Sequence, residues 1–232
     1  MYIAFMLILS DLKKVNLKYF HHMVNSLRSC KNDNNIVHIF ISSNYNLHHL
    51  DHHLKQFKLF HIKTSKNNDI DKRHECYHNL IMTSEFEYHW IINVRPDLLI
   101  FDTNMFYNIR QKFDVNYIHA RARYYVGPKT LNKNEKSYWN VDDTESYKHN
   151  KNKNLIILDN NIFFVPQGLS YRVFKNTINT NTNQNNHFKT IPDTSTEKTQ
   201  SLIWYNENIP LNIIYLVFVP PEDMLAYNII ES

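Results

Sequence analysis

Tyr2-Ile-Ala-Phe-Met-Leu-Ile-Leu9 is a continuous apolar run. A strand without a polar face is one covered on both sides, as the central strands of parallel sheets are. Ser10-Asp11 then offers a turn and a helix cap, and Leu17, Phe20, Met23, Val24 and Leu27 recur at helical spacing until an Asn-rich break after Cys30. The unit repeats. Residues 36–41 read as a second strand, a helical stretch passes through Leu47, Leu50 and Leu54, and residues 57–62 read as a third strand. A helix is predicted over 71–86 with Tyr77, Leu80 and Ile81 inward, followed by a buried strand over 89–94 that stops at Arg95-Pro96-Asp97, where proline ends the ladder. Strands alternating with helices predict an α/β fold with a central, mostly parallel sheet flanked by helices.

Regularity fades beyond this point. Short strands are expected over 98–101 and 117–122, and residues 129–154 form a polar Lys/Asn/Asp-rich insert of the kind that often covers a site. Residues 155–158 and 162–165 read as two core strands around an Asp159-Asn160-Asn161 turn, and a helix starts at Tyr171. A low-complexity loop over 176–194 precedes a helix over 195–205 and one strand over 211–219, which Pro220-Pro221 ends.

Composition narrows the function classes. The 232 residues suit one domain spanning 1–232, and 43% apolar with 14% aromatic residues is enough to build a core. A net charge of +4 falls short of the dense basic stripe of a nucleic-acid binder, so no nucleic-acid partner is expected. Gly127 and Gly168 are the only glycines, which leaves nowhere to write a Rossmann or P-loop fingerprint. Cys30 and Cys76 cannot make a disulfide framework and read as buried thiols of a reducing compartment. The apolar runs 2–9 and 213–219 are too short to span a membrane, and the first lacks the basic lead of a signal peptide. The expectation is a cytoplasmic protein. The 32 asparagines, with many Lys, Ile and Tyr, are similar to coding from an AT-rich genome such as that of a large DNA virus or certain protists.

The segment that points to chemistry is Trp90-Ile-Ile-Asn-Val-Arg-Pro-Asp-Leu-Leu-Ile-Phe101, because it sets an Arg and a carboxylate just past the end of a buried strand. Ligands of open α/β sheets bind at such ends. By spacing alone, Arg95 and Asp97 equally suit a solvated turn or a structural ion pair. Strand-then-Arg-Pro-Asp-Leu, about 90 residues after an N-terminal apolar strand, resembles a group of GT-A glycosyltransferase-like proteins of large DNA viruses, bacteria and protists. Leu158-Asp-Asn-Asn-Ile-Phe-Phe-Val165 is similar to that group's Asp-containing strand near the acceptor, and Ser195-Thr-Glu-Lys-Thr-Gln-Ser-Leu-Ile-Trp-Tyr-Asn-Glu-Asn-Ile-Pro210 to its Glu-led helix. There are departures: Leu9-Ser10-Asp11 stands where a basic or glycine-containing loop is usual, and Val165-Pro166 where a glycine is usual.

The resemblance implies a single GT-A-like domain that moves a sugar from a nucleotide-sugar donor to a glycan, protein or small acceptor. It places Leu9, Ser10, Lys72, Arg73, Arg95 and Asp97 at the donor, with Asp97 holding Mn²⁺ or Mg²⁺ through the oxygen ligation these hard cations prefer. Arg95 fits phosphate geometry, and Lys72 and Arg73 are further diphosphate candidates that also suit a solvated helix start. Asp159 is the candidate base for the acceptor hydroxyl, with Asn160 as its catalytic partner and Asn161, Arg121, Arg123 and Tyr124 toward the acceptor. An Asx cap in a turn explains Asp159 as well, and a strand edge explains Arg121 to Tyr124. Asp142-Asp143 fits a solvated loop, and His48-His-Leu-Asp-His-His53 has the i,i+4 spacing of zinc ligands but no third ligand. A non-catalytic nucleotide- or sugar-binding module and a metal-dependent phosphoesterase are the alternative functions.

Overall fold

The structure is a computed structural model that describes residues 1–9, 17–32, 34–47, 50–67, 69–83, 85–96, 98–100, 106, 109–124, 156–174, 204, 208–214 and 218–219. For 17–19, 51, 53, 83, 99–100, 121–124, 156–161, 213 and 218–219 the description is of the backbone alone. In chain order the elements are β1 (Tyr2–Leu9), α1 (Leu17–Arg28), β2 (Ile36–Ser43), α2 (Asp51–Leu54), β3 (Lys58–Lys63), α3 (Asp69–Thr83), β4 (Trp90–Val94), β5 (Leu99–Ile100), α4 (Ile109–Lys112), β6 (Ile118–Tyr124), β7 (Ile156–Pro166), α5 (Gln167–Phe174), β8 (Leu211–Ile213) and β9 (Phe218–Val219).

Seven strands form one sheet in the order β3-β2-β1-β4-β7-β6-β8, and β5 pairs with β9 in a small second sheet. β1 is hydrogen-bonded to β2 and β4, both parallel to it. Both of its faces are therefore covered, as its unbroken apolar sequence requires. Ile3, Phe5, Leu7 and Leu9 pack with Phe20, Met23, Val24 and Leu27 of α1, while Ala4, Met6 and Ile8 pack with Cys76, Tyr77 and Leu80 of α3. The period-two alternation of β1 thus sorts its side chains between two cores on opposite sides of one sheet. Cys30 and Cys76 are both buried, one in each core, which keeps their thiols apart.

The sheet is mixed. β2 and β3 extend it to one side of β1, and the chain then crosses back through α3 to place β4 on the other side. β7 enters antiparallel between β4 and β6. This corrects the expected strand pair around a 159–161 turn: 156–166 is one continuous strand, held along one side by β4 and along the other by β6. The single strand expected over 211–219 is likewise corrected. Leu211–Ile213 pairs with β6 and Phe218–Val219 pairs with β5, so the two pieces belong to different sheets. The expected helix over 71–86 ends at Thr83. The helix at 51–54 is a single short turn, and the His48–His52 and His49–His53 pairs involve His48 and His49, which lie outside the described residues. The insert 129–154, the loop 176–194 and, apart from Trp204, the helix over 195–205 also lie outside the described residues.

Candidate functional site

The strand order reverses between β1 and β4, because the connection from β1 goes to β2 while β4 is added on the opposite side. The crevice outside the carboxyl ends of such strands is where ligands reach an open α/β sheet. The rim of that crevice is built from the last residues of β1 and β4 and the first residues beyond them. Leu9 ends β1 opposite Ser43 and is fully buried, so its contribution to a ligand is confined to its backbone. Arg95 follows Val94 directly and is half-buried, and its carbonyl accepts a hydrogen bond from the Leu98 amide at 3.4 Å across the Arg-Pro-Asp turn. Ser10 and Asp97 lie outside the described residues.

The register carries the remaining predicted residues to the same rim. Val94 pairs with Ile162 in an antiparallel ladder, so the backbone of Asn161, Asn160 and Asp159 runs on past the end of β4, alongside Arg95. On the other side, Ala120 pairs with Phe163 but Ala122 pairs with Leu158. The extra β7 residues at 159–162 therefore bulge opposite Arg121. Bulges of this kind bend a strand and re-aim its side chains, and they recur next to active sites. The backbone of Arg121, Arg123 and Tyr124 continues outward on β6 beside the bulge.

α3 starts at this end of the sheet, since β3 delivers the chain there. Asp69 and Asp71 in its first turn complement the positive end of the helix. The Thr64 hydroxyl donates to the Glu75 carboxylate, tying the helix to the end of β3. Lys72 and Arg73 are 1% and 5% exposed, which overturns the solvated helix start as an account of them. Arg73 Nε donates to Asn93 Oδ1 at 3.0 Å, and its guanidinium carbon lies 5.3 Å from the centre of the Phe163 ring. Burial lowers its pKa to about 10, against the opposing effect of Asp69 and Cys76, so it remains charged at neutral pH. Two adjacent buried cations need compensating negative charge.

Two buried polar atoms where β2 ends, the Ser42 hydroxyl and Asn44 Oδ1 just beyond the strand, have no hydrogen-bond partner among the described residues. Orphaned buried polar atoms are rare enough that each calls for a reason, and a bound ligand is one. Ser42, Asn44, Asn93 and Phe163, which the structure brings to the rim, are not singled out by any sequence motif. The available signal was polarity in the wrong place: Asn93 interrupts the apolar β4, and Ser42-Ser43 closes the apolar β2. No group of three or more His, Cys, Asp or Glu that could hold a metal ion is found among the described residues. Nor is any helix among them long and apolar enough to cross a membrane.

No protein-family model and no curated protein matches the sequence. Solved structures do match in shape. The 4-diphosphocytidyl-2C-methyl-D-erythritol synthase of Anaerococcus prevotii aligns with a TM-score of 0.56 at 11% identity, covering 98% of this chain and 96% of the other. Mouse xyloside xylosyltransferase 1 aligns with a TM-score of 0.54 at 9% identity, covering 92% and 85%. The fold is GT-A-like. The bifunctional IspDF of Campylobacter jejuni also aligns, with a TM-score of 0.50 at 9% identity, over 92% of this chain and 49% of that one. These likenesses rest on the arrangement of strands and helices, since identities near a tenth carry no residue-level correspondence.

Proposed function

We propose that the chain transfers a sugar from a nucleotide-sugar donor to a hydroxyl of a glycan, glycoprotein or small acceptor. The observation that carries this reading is the pair of buried cations, Lys72 and Arg73, at the carboxyl rim of a GT-A-like sheet, beside the point where the strand order reverses. When a nucleoside diphosphate leaves the sugar, negative charge develops on its terminal phosphate, and fixed positive groups in a water-poor site lower that barrier most effectively. Lys72 and Arg95 are assigned to the diphosphate. Asp159, on the bulged strand across the rim, is assigned as the base that takes the acceptor proton, with Asn160 holding it in place and Asn161, Arg121, Arg123 and Tyr124 toward the acceptor. Among the described residues, no group of three or more His, Cys, Asp or Glu that could hold a metal ion is found. Asp97 is the residue assigned to Mn²⁺ or Mg²⁺, should the donor carry one.

Isothermal titration with UDP- and GDP-sugars, with and without Mn²⁺, coupled to a donor-hydrolysis assay, tests the reading. Binding followed by hydrolysis or transfer supports it. Asp97→Ala is expected to abolish turnover without lowering the melting temperature, because in sequence the residue comes just after the end of β4. Full turnover by that variant would remove Asp97 from the site. Binding with no turnover under any condition favours the alternative of a sugar- or nucleotide-binding module, a reading that the missing glycine loop after β1 also suits.

A further inference from the structure

Arg73 stands apart from its neighbour in what its side chain touches. Its Nε–H bond goes to Asn93, the penultimate residue of β4, and its guanidinium lies over the ring of Phe163 on β7. Asn93 and Phe163 are directly opposite each other in the antiparallel ladder. One pairing further on, at Val94 and Ile162, that ladder ends. Beyond it β4 becomes the Arg95 turn, and β7 runs into the bulge that carries Asp159 and Asn160. A single buried cation thus grips both strands one residue before they part.

We infer that Arg73 is a positioning residue that fixes the distance between the donor turn and the acceptor strand, acting through Asn93 and Phe163 rather than by touching the diphosphate. The inference rests on the proposed transfer reaction. The physical basis is the shape of the group. A planar guanidinium donates along its edge while its face stacks on a ring, so one side chain constrains two partners in different directions. A lysine ammonium gathers its donors on one atom and has no planar face, so it does not hold the two partners in the same geometry. Because Arg73 is 5% exposed and engaged with protein partners, direct recognition of a ligand falls to Lys72 and Arg95 instead. A positioning error of about 1 Å between reacting groups costs on the order of a hundredfold in rate.

The test compares wild type, Arg73→Lys, Arg73→Met and Asn93→Ala for melting temperature, Kd for the nucleotide sugar that wild type turns over, and kcat. The inference expects all three variants to lose about tenfold or more in kcat while Kd stays within about threefold. Asn93→Ala keeps the cation and removes its Oδ1 acceptor, so it serves even if Arg73→Met fails to fold. Arg73→Lys keeps the charge, so its failure to rescue kcat separates shape from charge. A weakened Kd with unchanged kcat would make Arg73 a ligand contact and overturn the inference while leaving the transfer reading intact. Normal kcat in Asn93→Ala would also overturn it. Absence of turnover in wild type itself would instead bring down the transfer reading, and the inference with it.

Discussion

At the scale of single residues, the most telling side chain is Lys72. It is 1% exposed near the start of α3, at the rim end of the sheet. Lys72→Met should weaken nucleoside-diphosphate binding about tenfold or more, because a charge-assisted hydrogen bond is lost. Calorimetry reads the effect, and an unaltered Kd would remove Lys72 from the donor site. The Lys72-Arg73 doublet was visible in the sequence, but its burial was not. Two cations beginning an amphipathic helix read as solvated because nothing in the local pattern reveals that the helix starts against the sheet. The strand-end location of Arg95 was legible, since proline punctuates the chain there.

At the scale of elements, the parallel half was readable because its strands need two apolar faces and its helices one. Phe20, Met23, Val24 and Leu27 fall on one side of α1 as their spacing requires, and all are fully buried. Leu27→Ala should cost about 2–5 kcal/mol in a urea titration. The antiparallel half was misread in two places. Asp159-Asn160-Asn161 has the composition of a turn, but ladders on both sides of β7 override local preference and turn the polar triplet into a bulge. The split of 211–219 between two sheets has no marker in local composition, because the partners of each piece lie far away in sequence. Register gives the bulge a test. Deleting Asn160 moves residues 156–159 to the opposite face, so both turnover and melting temperature should fall. Asn160→Ala keeps the residue count and should lower turnover alone.

At the scale of the whole molecule, acid should unfold the protein early. His38, bonded through Nδ1 to the Tyr88 hydroxyl at 2.6 Å, titrates below the usual histidine value because of burial and the nearby Lys58. His119 does so because of burial, opposed by its bond to the Asp114 carbonyl. That carbonyl can only accept, so His119 Nε2 carries the proton, and Nδ1 accepts from Asn212 at 3.3 Å. Both rings are neutral in the fold and free to protonate once unfolded. Their stabilisation is fully present above the ordinary value of 6.5 and declines as pH falls from there through the lowered folded values. Each contributes a slope of at most about 1.4 kcal/mol per pH unit in that window. Unfolding free energies measured between pH 7.5 and 5 should fall, and His119→Gln should flatten the curve. If the curve is flat in wild type, the histidines are not linked to folding. The placement of β7 has a consequence for how the protein is made. Four parallel strands leave the ribosome with β4 as a bare apolar edge, and the strand that closes it is translated only much later. For that interval the nascent chain exposes a ready template for aggregation, so its yield in a cell depends on chaperones that shield the edge.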